Sequence, residues 1–241
     1  MLRWEDKNEY RDTGAMADEM EAIAETLVLE LNRDGQKKQA SEGGRFFFKH
    51  DKVWELPFAC DWIDRLATRL GKDHLKIMDF GCCMSPLPQY LTRRGHTVWG
   101  VDDDSWGYIR KNNIEKHYPD VHYYTEDVRN IRESGFDAII SCSVFEHIRP
   151  DSLIVELMRH LETILGEGGK QMHIVDFYFP EKSGRGHARM NFWEVGQGMG
   201  WDVGSPIECP GSPEFDFEAV RSKMEFIRPQ AQETRIAIGE V

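Results

Sequence analysis

The sequence predicts an α/β protein: a doubly wound, mostly parallel sheet with an antiparallel closing strand and an N-terminal helical extension. Three observations carry that expectation. Strand-length runs at 75–80, 97–101, 121–124, 136–141 and 170–179 alternate with stretches of helical period. Acids stand at or just past the ends of successive runs: Asp79, then Asp102, Asp103 and Asp104, then Asp127. Between the first two runs lies a glycine turn at Gly81 followed by a helix, the arrangement with which open α/β sheets hold nucleotides.

The elements follow in order. Residues 1–14 are polar and read as loose, and Met16, Met20, Ile23, Leu27 and Leu31 then recur at helical spacing over 15–33. Asp34-Gly35 ends that run. The apolar stripe packs on the domain or on a second subunit, so a homodimer stays open. A polar, glycine-containing linker at 36–45 and Phe46-Phe47-Phe48 complete an N-terminal segment of residues 1–50, with the main domain at 51–241. A helix over 54–70 aligns Trp62, Ile63, Leu66 and Leu70 on one face. At its start Trp54 and Glu55 either shape a substrate mouth or serve the core.

Ser85, a favoured N-cap, and Pro86, a favoured first helical residue, open the next helix. Gly95 closes it, with Arg93 and Arg94 complementing the negative end of its dipole. Residues 105–118 read as a further helix stopped by Pro119. Pro150 and Asp151 open an amphipathic helix in which Leu153, Leu157 and Leu161 stack, and Gly166, Gly168 and Gly169 end it. After the fifth strand, the stretch 180–213 carries many glycines with Trp193 and Trp201. Loops of that length are often functional, and this one leaves the sheet at the edge where ligands bind. Residues 215–223 read as a last helix, and 224–228 with 234–241 as the closing antiparallel hairpin.

Composition narrows the function. With 241 residues, 40% hydrophobic and 30% charged, the chain is large enough for a real core. A formal net charge of −12 argues against a nucleic-acid backbone as partner, because binding one rests on a basic footprint. No apolar run approaches the roughly 20 residues of a membrane helix. The opening MLRWEDKNEY has no secretory h-region. Five cysteines without C-x-x-C spacing fit neither a disulfide framework nor a zinc knuckle, so a reducing cytoplasm is expected.

The turn after the first strand decides which nucleotide. A dinucleotide needs G-x-G-x-x-G for close approach to its pyrophosphate, and only Gly81 is present, which disfavours a nicotinamide oxidoreductase. An adenosine ligand without phosphates needs less: one close backbone approach and a carboxylate for the ribose hydroxyls, the place of Asp102. The pattern D/E-x-G-x-G-x reads Asp79-Phe80-Gly81-Cys82-Cys83-Met84, and the fourth strand, FDAIIS, runs into Cys142-Ser143-Val144-Phe145-Glu146-His147-Ile148. Over about residues 75–180 the chain resembles class I S-adenosylmethionine-dependent methyltransferases acting on small molecules. It departs from their pattern at Cys83, which stands in place of the second glycine.

The resemblance implies a Rossmann-like sheet and S-adenosylmethionine as methyl donor. It implies donor-binding roles for Asp79, Gly81, Cys82, Asp102, Asp103, Cys142 and Ser143, with Asp127 on the adenine amino group and Val128 against the ring. It also places N-terminal helices as a cap over the site, while the 180–213 loop is the candidate for acceptor choice. The acceptor is expected to be a small polar molecule, a sugar or other biosynthetic metabolite, through a hydroxyl. A hydroxyl must lose its proton, and His147, directly after the fourth strand and with an ordinary pKa near 6.5, is the candidate base. His173, His187 and Asp176 are weaker candidates. No metal is expected, since Ser143 occupies the first position of the E-x-x-E-H pattern by which some relatives hold one. Two alternatives stay open: a donor-binding protein without catalysis, favoured by the bulky Cys82-Cys83-Met84 turn, and a divalent-metal-assisted transferase using Glu146, His147 and a further histidine.

Overall fold

In chain order the elements begin with β1 (Leu2–Arg3), α1 (Lys52–Leu70), β2 (Lys76–Phe80), α2 (Leu87–Arg93) and β3 (Thr97–Val101). They continue with α3 (Tyr108–Asn112), α4 (Ile114–His117), β4 (His122–Tyr124), β5 (Phe136–Cys142), α5 (Asp151–Thr163), β6 (Leu165–Tyr178) and β7 (Glu233–Ile238). This computed structural model describes residues 2–3, 16, 18–24, 52–105, 107–178 and 233–238. The expected linker at 36–45, the 180–213 loop, the 215–223 helix and the 224–228 strand lie outside those residues. The chain divides into two units, one of Asp6–Ile140 with Leu165–Gly169, the other of Met1–Glu5, Ser141–Ile164 and Lys170–Val241.

In the first unit, four strands run parallel in the order β5–β2–β3–β4. Ile77, Met78, Val98, Val101, Ala138, Ile139 and Ile140 are buried in them, as strands covered on both faces require. The register sets Ile140, Asp79, Gly100 and Tyr123 side by side in one row. From β2 the chain winds outward through β3 to β4, then returns to the far side of β2 as β5. Such a reversal of strand order marks where open α/β sheets bind ligands, outside the carboxyl ends.

Helix ends follow from local chemistry. α1 stops in a left-handed turn at Gly71, φ +64°, where Lys72 N–H reaches Ala67 O and Gly71 N–H reaches Thr68 O. α2 closes the same way at Gly95, φ +92°, with His96 N–H on Leu91 O and Gly95 N–H on Thr92 O. At its other end Ser85 Oγ accepts from Leu87 N–H at 3.2 Å, and Pro86 has helical dihedrals. Glu55, in the first turn of α1, is fully buried. Residues 18–24 are helical, with Met20 and Ile23 buried and Ile23 O accepting from the Tyr118 hydroxyl at 3.0 Å.

Two expectations need correction in this unit. The helix read over 105–118 is two short helices, α3 and α4, broken at Asn113 with φ +49°; asparagine is among the few residues that accept that conformation. The glycines read as ending α5 instead open β6. Gly166 lies against the Gly135 backbone, and a β-carbon on Gly169 would fall 2.4 Å from Phe136 O. Helix α5 has already ended at Thr163.

In the second unit, β7 runs antiparallel to β6, with Asp176 opposite Arg235, and β1 runs antiparallel to β7, with Leu2 opposite Ile238. Leu2–Arg3 is thus a strand where a loose terminus was expected.

Candidate active site

The row Asp79–Gly100–Tyr123 brings the first site residues together at the carboxyl ends of β2, β3 and β4. Asp79 is buried one residue before the end of β2. Gly81 turns the chain at φ +73°, a value that favours glycine, and its N–H donates to Val101 O at 2.6 Å. Cys82 N–H shares that carbonyl at 3.2 Å, so the turn is laced onto the end of β3. The Cys82 side chain is buried against Gly100, where an added β-carbon would lie 3.1 Å from Cys82 Sγ and 2.8 Å from Tyr123 Cε1. Glycine at 100 is what lets thiol and ring close on β3.

The thiolate form is disfavoured at both cysteines of the turn. Burial pushes the Cys82 thiol well above its ordinary range, with the Asp79 charge adding to the effect. Burial, with the Asp102 charge, pushes Cys83 up to about 11. What Cys83 supplies is backbone. It sits at φ +45° and donates its N–H to Asp102 Oδ2 at 3.0 Å. Nothing in its residue type announced this; the signal was its place in the motif, where glycine was expected.

Asp102 is half-buried, and its Oδ1 accepts from Asp104 N–H at 2.7 Å. Burial raises its pKa, while the Asp104 and Cys83 amides pull it back down. Among the described residues each carboxylate oxygen holds one amide bond, and a carboxylate oxygen accepts two. The second acceptor position on each oxygen suits one hydroxyl of a vicinal diol, so the residues present fit a ribose. Asp103 is exposed and its Oδ1 accepts from Ser105 N–H at 2.9 Å. Asp104, which the motif did not single out, is buried and caps α3 by accepting from Ile109 N–H at 2.9 Å and Arg110 N–H at 3.1 Å.

Past β4, Asp127 caps the short 3-10 turn Val128–Asn130, accepting from Arg129 N–H at 2.9 Å, and Val128 is buried. The Arg129 guanidinium pairs with both Asp127 oxygens.

In the other unit, Cys142 and Ser143 follow Ser141 at the end of β5, both half-buried. Ser143 is left-handed at φ +60° and donates its N–H to Ile174 O at 2.8 Å. His147 ends the 3-10 turn Phe145–His147 with its side chain exposed, and its Nε2 stands 3.9 Å from Oε1 of the buried Glu146. His173 is no base. It is fully buried, its ring lies edge-on to Phe145 with centroids 4.7 Å apart, and burial lowers its pKa to about 3. Gln171 Nε2 faces Met158 O at 3.5 Å, which turns Gln171 Oε1 to accept from His173 Nε2–H at 3.0 Å. His173 Nδ1 then accepts from the Ser141 hydroxyl at 2.8 Å. The Asp176 side chain and His187 lie outside the described residues. Among the described residues no group of three or more His, Cys, Asp or Glu side chains is placed to hold a metal ion.

Residues 52–197 match the model of a family described as a methyltransferase domain. A ubiquinone biosynthesis O-methyltransferase from Paracidovorax citrulli is 27% identical over 110 residues, which cover 44% of this chain and 45% of that protein. The chain therefore spans less than half the length of that relative. Among solved structures, a TehB-like SAM-dependent methyltransferase from Corynebacterium glutamicum is 24% identical with a TM-score of 0.42, over 58% of this chain and 79% of that one. The bifunctional kinase-methyltransferase WbdD is 22% identical with a TM-score of 0.47, over 66% of this chain and 36% of that one. At those identities and scores, neither structure bears on substrate or mechanism.

Proposed function

This chain belongs to the methyltransferase domain family, and from that premise we propose that it carries a methyl group from S-adenosylmethionine to a hydroxyl of a small polar molecule, a sugar or other biosynthetic metabolite. The observation that carries the reading is the Asp102 carboxylate, fixed by two backbone amides at the end of β3 with acceptor positions remaining for a ribose diol. The named activity of the Paracidovorax citrulli relative is O-methylation, which supports a hydroxyl acceptor.

When bound, S-adenosylmethionine supplies a sulfonium methyl group open to in-line displacement. Asp102, with Asp103 beside it, holds the ribose; Asp127 takes the adenine amino group and Val128 the ring. Asp79, Gly81, Cys82, Cys142 and Ser143 hold the rest of the donor. His147 Nε2 takes the acceptor proton, and the Glu146 carboxylate beside it stabilises the imidazolium that forms. Positioning supplies much of the remaining acceleration. The stretch 180–213 selects the acceptor. No metal, nucleic acid or membrane takes part, and the protein works in the cytoplasm. Among the described residues no helix is long and apolar enough to cross a membrane.

Calorimetry with S-adenosylmethionine, followed by release of S-adenosylhomocysteine across a panel of hydroxylated metabolites, tests this. Saturable binding and turnover with at least one hydroxyl acceptor are expected. Absence of donor binding would overturn the site assignment, and transfer only to amines would overturn the acceptor class.

A further inference from the structure

Among the described residues four other than glycine have a left-handed backbone: Cys83, Asp104, Asn113 and Ser143. Asn113 separates two helices. Cys83 and Asp104 lie on different loops, after β2 and after β3, and share one property. Each donates its backbone N–H to the same side chain, Cys83 to Asp102 Oδ2 at 3.0 Å and Asp104 to Asp102 Oδ1 at 2.7 Å. A side chain disfavours positive φ, so such residues persist where the surroundings over-determine them, and they cluster where a site needs a group held still.

We propose that Cys83 and Asp104 are positioning residues, whose left-handed turns clamp the Asp102 carboxylate in the orientation that receives the ribose of the donor. Each turn aims one amide at one oxygen. The carboxylate is fixed about its own bond, and the second acceptor position on each oxygen is set before the ligand arrives. Asp104 is itself held: its buried carboxylate accepts from Ile109 and Arg110 N–H, which fixes the turn that presents its amide. Cys83 is held from its other side by Cys82, whose carbonyl accepts from Ser85 N–H at 2.8 Å and whose thiol is buried against Gly100. The Cys83 thiol is not the working group; the backbone conformation is. This inference rests on Asp102 being the ribose acid.

The test separates conformation from side chain. Cys83→Gly and Cys83→Asn keep the left-handed conformation and the N–H, so S-adenosylmethionine affinity by calorimetry should stay within about threefold of the parent. Cys83→Val drives the residue out of that conformation, and affinity should fall at least about tenfold. On an Asp102→Ala background, the Val substitution should cost less than about twofold more, because the group it acts through is gone. A Val variant that binds as tightly as the Gly variant overturns the proposal. So does a Val penalty equally large without Asp102, which would mark Cys83 as merely structural. Should Cys83→Val not fold, amide hydrogen exchange decides between the parent and Asp102→Ala, both without donor. The Cys83 and Asp104 amides should exchange at least about tenfold faster in Asp102→Ala while the Gly81 amide is unchanged, and equal rates overturn the clamp. If Asp102→Ala leaves donor affinity intact, the donor-site reading fails, and the exchange rates still judge the clamp separately.

Discussion

At the scale of the residue, Asp102 concentrates the competing terms of the site. Burial raises its pKa and the Asp104 and Cys83 amides pull it back in part, through hydrogen bonds that also orient the carboxylate. Hydrogen bonds to a charged group contribute about 1.5–3 kcal/mol each, so Asp102→Ala should lower S-adenosylmethionine affinity at least tenfold by calorimetry. The sign with pH follows. Only the ionised form accepts from both ribose hydroxyls, so affinity is present above the Asp102 pKa and lost as pH falls through it. Because burial places that pKa above the ordinary aspartate value, the loss should begin at a higher pH than for an exposed aspartate; affinity measured across acidic pH checks this, and a flat profile would count against Asp102. The sequence located Asp102 because a strand period and an acid at its end are both written in residue types. It did not reveal the clamp, since φ at Cys83 and Asp104 is set by tertiary hydrogen bonds.

At the scale of the element, the glycines before β6 were read as a helix stop and His173 as a weaker candidate base, and the sheet used them otherwise. Gly166, Gly168 and Gly169 looked like a helix stop, yet β6 needs Gly169 because a β-carbon there would strike Phe136 O at 2.4 Å. Gly169→Ala should therefore destabilise by about 1–3 kcal/mol or more through forced strand displacement. Gly71→Ala, with open space around it but φ +64°, should cost only the conformational strain, about 1 kcal/mol. Urea unfolding of both variants ranks the two effects, and equal losses would show that β6 yields easily. His173 offers the pH counterpart. Its folded pKa, about 3, lies below the ordinary 6.5, so unfolded chains bind a proton that the folded chain refuses. Stability from this group is whole above the unfolded pKa and falls as pH drops toward the folded one. Between pH 7 and 5 the loss is about 2 kcal/mol by linkage. His173→Gln should be less stable at neutral pH but lose less on acidification; parallel pH profiles would refute this account.

At the scale of the whole molecule, the legible part was the repeat of strand, turn and acid from β2 to β5, because burial on both faces and chain reversal at β2 both follow from it. Leu2–Arg3, outside that repeat, was not legible in the same way: it pairs with β7 although nothing in its polar surroundings signals a strand. On the proposed reading the same repeat divides the labour along the chain, with the acids assigned to the donor between Asp79 and Asp127 and the candidate base after β5. That division makes the last prediction specific. His147 is exposed at the end of its 3-10 turn and faces the buried Glu146 carboxylate at 3.9 Å. If its imidazole takes the proton of a hydroxyl, His147→Ala should lower kcat by about 10²–10⁴ while S-adenosylmethionine affinity stays unchanged. The parent rate should rise with pH through a single ionisation, because only the neutral ring accepts a proton, and the variant should lose that rise. A neutral amine acceptor would leave the variant active, since positioning alone then suffices. A metal-assisted reaction would instead stop on adding a chelator and resume with divalent ions. A variant with near-parental kcat and no chelator effect would make His147 a structural residue and move the search for the base to the stretch 180–213, which carries His187.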